Sequence, residues 1–96
     1  MDNVEGKVAV VTGGASGIGK AMAARFQAAG MHVVIADVEQ GALDATSAEL
    51  GVVGVRTDVS DADSVAALAA AVVERFGTAH VICNCLLYTS PSPRDS

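Results

Sequence analysis

The stretch Gly13-Gly14-Ala15-Ser16-Gly17-Ile18-Gly19 sets four glycines between an apolar run and an Ala-rich segment. Glycine lets backbone N–H groups come close to an anion, and a helix starting at such a turn adds the positive end of its dipole. The chemistry that suits this composition is the binding of a phosphate or pyrophosphate. The spacing Gly13-x-x-x-Gly17-x-Gly19 differs from the common G-x-G-x-x-G, and the absence of Gly-Lys-Ser/Thr excludes a nucleoside-triphosphate loop. Asp37 lies 37 − 19 = 18 residues beyond the last loop glycine. That is close to the ~20 at which an acid accepts hydrogen bonds from a ribose 2′-OH. Asp58-Val59 offers a second carboxylate and backbone amide, suited either to an adenine edge or to the start of a helix.

These residues need a frame that brings them together. Lys7 to Thr12 is a continuous β-branched run that reads as a buried strand. Ile18, Met22, Phe26 and Ala29 recur at helical spacing, and Gly30 stands where a left-handed C-cap belongs. A second strand over 32–36 ends at Asp37, a helix follows from Gln40 to Leu50, and Val52 to Arg56 forms a third strand. Ser60 with Asp63 resembles a capping box for a third helix carrying Val65, Leu68, Val72 and Phe76 on one face. Ala79 to Asn84 supplies a fourth strand. The order βαβαβαβ with short connections predicts an α/β class and a doubly wound parallel sheet, with Asp58-Val59 at the same edge as Asp37 and the glycine loop.

Composition narrows the function classes. Lys+Arg 6 against Asp+Glu 11 gives a net charge of −5, and 51% of residues are hydrophobic but only 3% aromatic. Such a chain is too apolar for general disorder and lacks the basic stripe that nucleic-acid binding needs. No apolar stretch approaches the ~20 residues of a membrane span, and the acidic start Met1-Asp2-Asn3-Val4-Glu5 gives no sign of export, so a cytoplasmic location is expected. Cys83 and Cys85 suit neither a disulfide framework nor a zinc site. His32 and His80 flank strands without partners in motif spacing and read as structural or surface residues.

Thr12-Gly13-x-x-x-Gly17-Ile18-Gly19, Asp37, Asp58-Val59 and Asn84 together resemble the classical short-chain dehydrogenase/reductase family, over nearly everything from Gly6 to Asn84. The resemblance implies a Rossmann-like sheet in which Gly13 to Gly19 hold the cofactor pyrophosphate, with Ser16 and Ile18 as polar and backbone contacts. It implies that Asp37, Asp58 and Val59 frame the adenosine. Asp37 should repel a 2′-phosphate, and no Arg or Lys stands at Ser16 or Val38 to compensate, so NAD is expected over NADP.

The family's Asn-Asn-Ala-Gly signature fails after Asn84, where this chain reads Cys85-Leu86-Leu87. Cys85 through Asp95 resembles the translation of a common transposase-type sequencing adapter; the alternative is a genuine flexible tail. We therefore expect a cofactor-binding portion over 1–84 and a non-native tail over 85–96. The family's catalytic Ser and its Tyr-x-x-x-Lys are absent, since Tyr88 is the only tyrosine and Ser92 stands four residues after it. The expected function is that of the NAD-binding N-terminal part of an oxidoreductase that moves hydride between nicotinamide and an alcohol or ketone. The intact parent is expected to be a homo-oligomer, and the chain alone to be inactive. The competing reading is a non-catalytic dinucleotide-binding sensor or scaffold.

Overall fold

The computed structural model describes residues 5–15 and 17–84. Its elements are β1 (Val8–Thr12), α1 (Gly17–Ala28), β2 (His32–Asp37), α2 (Gln40–Leu50), β3 (Val53–Arg56), α3 (Ala62–Phe76) and β4 (Val81–Asn84). The four strands form one sheet in the order β3-β2-β1-β4, with every pairing parallel. Each strand meets the expectation from sequence to within one or two residues.

Every residue of β1 is buried, which explains why its sequence shows an unbroken apolar run and no alternation. Ala9 and Val11 face the α1/α2 layer with Val33, Ile35, Ala23 and Leu43. Val8 and Val10 face α3 with Val34, Ala36, Leu68 and Val72. Helices therefore cover both faces of the sheet, as the doubly wound class requires.

Helix ends follow the glycines. Gly30 adopts φ +91°. Its N–H reaches the Gln27 carbonyl at 2.9 Å, and the Met31 N–H reaches that of Phe26 at 3.1 Å, a Schellman pair. Gly51 closes α2 in the left-handed region.

Three expectations are corrected. The cap of α3 is Asp61, whose side chain accepts from the Asp63 N–H at 3.0 Å; the Ser60 hydroxyl turns back to Asp58 instead, at 2.6 Å. A carboxylate one residue nearer the helix outcompetes the serine. On α1 the buried positions are Gly19 and Ala23. Met22 and Phe26 pack against the core as expected, whereas Ile18, in the first turn of α1 at the rim of the loop, is 55% exposed. Val65 of α3 is 41% exposed, while Leu68 and Val72 are buried.

His80 is structural. It donates its N–H to the Val8 carbonyl at 2.9 Å and accepts the Val8 N–H on Nδ1 at 3.0 Å, starting the β1–β4 ladder. His32 stacks on Phe76 with ring centroids 5.3 Å apart. Cys83 is a half-buried free thiol. Among the described residues no helix is long and apolar enough to cross a membrane.

Candidate functional site

Parallel strands send the loops after β1, β2 and β3 to one sheet edge, together with Asn84, which pairs with Thr12 in register. The glycine loop is tied to the end of β2. The N–H groups of Gly13 and Gly14 both donate to the Ala36 carbonyl, at 2.7 and 3.1 Å. Gly13 has φ +72°, a backbone conformation that disfavours a side chain.

The loop glycines divide into two kinds. Gly13, Gly14 and Gly19 are buried, whereas Gly17 is exposed beside Ile18. A Cβ on Gly19 would collide with the Gly13 carbonyl, so the first turn of α1 lies directly against the start of the loop. A Cβ on Gly14 would stand 2.5 Å from Ile35 Cβ, so Gly14 is required by the core. Nothing lies within 4 Å of a Cβ placed on Gly17. The open space is thus on the outer rim of the turn, where the N–H groups of Gly17 and Ile18 begin α1 with no intrahelical carbonyl before them. These two amides therefore face open space. Ser16 lies outside the described residues.

Asp37, half-buried at the end of β2, accepts the Ala15 N–H on Oδ2 at 3.1 Å and the Glu39 N–H on Oδ1 at 3.1 Å. Its carbonyl accepts the Thr57 N–H at 2.9 Å, which carries the chain on to Asp58. Asp58 Oδ1 accepts the Ser60 hydroxyl at 2.6 Å and the Ser60 N–H at 3.0 Å. These two bonds, hydroxyl first, with a smaller contribution from the Arg56 charge, hold its carboxyl below the ordinary aspartate value. The Asp58 N–H donates to Ser64 Oγ at 2.8 Å, fixing the loop to the first turn of α3. Val59 is 42% exposed at the same edge.

Two contributors escaped the sequence reading. Gly14 shows no motif of its own, and only the position of Ile35 across the sheet explains it. Arg56 is the register partner of Asp37 on β3, a cation that linear spacing around Ser16 and Val38 does not reveal.

A parallel α/β edge with a glycine turn opening a helix, an acid ending the second strand and a second acid after the third defines a dinucleotide-type fold. The short chain dehydrogenase family model matches residues 7–90, and the chain belongs to that family. It is 49% identical to the 1-deoxy-11-beta-hydroxypentalenate dehydrogenase of Streptomyces arenae, over 81% of this chain and 29% of that protein. It is 42% identical to the 3beta-hydroxysteroid dehydrogenase 2 of Eggerthella lenta, over 82% of this chain and 32% of that one. A short chain dehydrogenase/reductase from Burkholderia phymatum, solved in complex with NAD, superposes with a TM-score of 0.82 at 47% identity, covering 85% of this chain and 31% of that one. The chain thus spans about a third of the length of these relatives.

Proposed function

We propose that this chain is the NAD-binding part of an oxidoreductase that moves hydride between nicotinamide and an alcohol or ketone. The observation that carries the reading is the open rim at Gly17 and Ile18, on a loop anchored beside Asp37. In this reading Gly13, Gly17 and Gly19 shape the pyrophosphate site, and Ser16 and Ile18 contact it. Asp37 meets the adenosine ribose, Asp58 and Val59 meet the adenine, and Asn84 also binds the cofactor. When bound, the nicotinamide supplies the hydride acceptor or donor. The protein's own share here is binding and orientation, because the Tyr-x-x-x-Lys that would move the carbinol proton is absent. Turnover, a homo-oligomeric state and a cytoplasmic location are proposed for the intact parent.

NAD is preferred over NADP because the Asp37 carboxylate repels a 2′-phosphate. Arg56 stands close enough in register to soften that discrimination. Calorimetric titration with each cofactor tests the reading: NAD binds more tightly than NADP, and Asp37→Asn narrows the gap. Tighter binding of NADP by the unchanged chain would refute the preference, and no binding of either would refute the function.

A further inference from the structure

The geometry points to a second role for Asp37, as the positioning residue that holds the phosphate loop in its anion-receiving shape. This inference rests on the dinucleotide reading and adds to it. Three successive loop N–H groups point back at the end of β2: those of Gly13 and Gly14 to the Ala36 carbonyl, and that of Ala15 to Asp37 Oδ2. The first two ties use a backbone carbonyl and survive any side-chain change. The third depends on the side chain, and it is charge-assisted, the stronger kind of hydrogen bond. The Glu39 N–H on Oδ1 fixes the carboxylate for this contact, so both oxygens have a backbone donor before any ribose arrives.

Ala15 stands two residues before Gly17, where α1 begins, so this bond fixes the chain to the sheet just before the rim. With Ala15 drawn toward β2, the next described amides are those opening α1, beside the space found at Gly17. A carboxylate near a pyrophosphate site is unfavourable on charge alone. Its presence here is accounted for by the loop shape it imposes as well as by the ribose it faces.

The two roles are separable with inorganic pyrophosphate, which has no ribose. The experiment compares the 96-residue chain with Asp37→Ala and Asp37→Asn, using amide hydrogen exchange and pyrophosphate titration followed by NMR. In Asp37→Ala, Ala15 amide protection falls about tenfold, as loss of one charge-assisted bond implies. Protection at Val34 and Ile35 in β2 is unchanged. Pyrophosphate binds severalfold more weakly even though a repelling charge has gone. Asp37→Asn, which keeps one acceptor, recovers part of both losses, and it carries the test if Asp37→Ala does not fold. The inference is overturned if Ala15 protection is unchanged, if Val34 and Ile35 lose protection in step with Ala15, or if pyrophosphate affinity holds or rises. A chain that binds neither pyrophosphate nor NAD defeats the dinucleotide reading, while the Ala15 exchange comparison still decides whether Asp37 holds the loop.

Discussion

At the scale of single residues, Gly14 and Gly17 sit three apart in the same loop yet answer to different constraints. A methyl on Gly14 meets Ile35, so Gly14→Ala overpacks the α1/α2 face and destabilises the fold by about 1–3 kcal/mol. Gly17 has no crowding neighbour and no positive φ, so Gly17→Ala leaves stability unchanged or raises it by up to about 1 kcal/mol through helix propensity. The same methyl intrudes on the rim where we propose that the phosphate sits, and NAD affinity is expected to fall by about tenfold or more. Denaturant titration read beside cofactor titration separates the two variants, and equal effects on both quantities would show that the division is wrong. The glycine spacing alone could not distinguish these roles, because the residue that makes Gly14 necessary comes from the next strand.

Elements were legible wherever their signal is local. The buried run of β1, the glycine stops at Gly30 and Gly51, and the β-branched cores of β2 and β4 each depend on residues within a few positions. Details that turn on competition between neighbouring side chains, on position along a helix, or on contacts distant in sequence were not legible. The cap of α3 went to Asp61, and Ile18 left the apolar stripe it was expected to join. His80 is another such case, because its partner, Val8, is at the opposite end of the described chain. Val8 is buried, so His80→Ala leaves its N–H without this acceptor and destabilises β1–β4 pairing by about 1–3 kcal/mol. Amide exchange at Val8 and at its neighbours Ala9 and Val10 reports the change directly. Loss of protection confined to α1 and α2 would contradict it.

The whole molecule is covered unevenly, in a way its topology explains. β1 and β2 are interior strands, whereas β4 is an edge strand of the described sheet. Between α3 and the sheet lies an apolar hollow of about 210 Å³, lined by Val10, Leu68, Val72 and Ala79, with Val65, Val73 and Ile82 at its margin. Ile82 is 69% and Val73 56% exposed, an arrangement that a parallel sheet normally hides under further helices. Exposed apolar surface beside an unpaired strand edge favours self-association. The chain should therefore bind a hydrophobic dye and associate as its concentration rises. Ile82→Thr with Val73→Lys should reduce both effects while shifting stability by no more than about 0.5 kcal/mol per site, because neither side chain is buried to begin with. The residues over 85–96 lie outside the described part of the chain, and their sequence has two prolines and no apolar period. Deleting them should leave dye binding, association and the thermal midpoint as they were, whereas appending the continuation of a relative should suppress dye binding and raise the midpoint by several degrees. If the deletion abolished a sharp thermal transition, the tail would be part of the fold, and the reading of it as foreign sequence would be wrong.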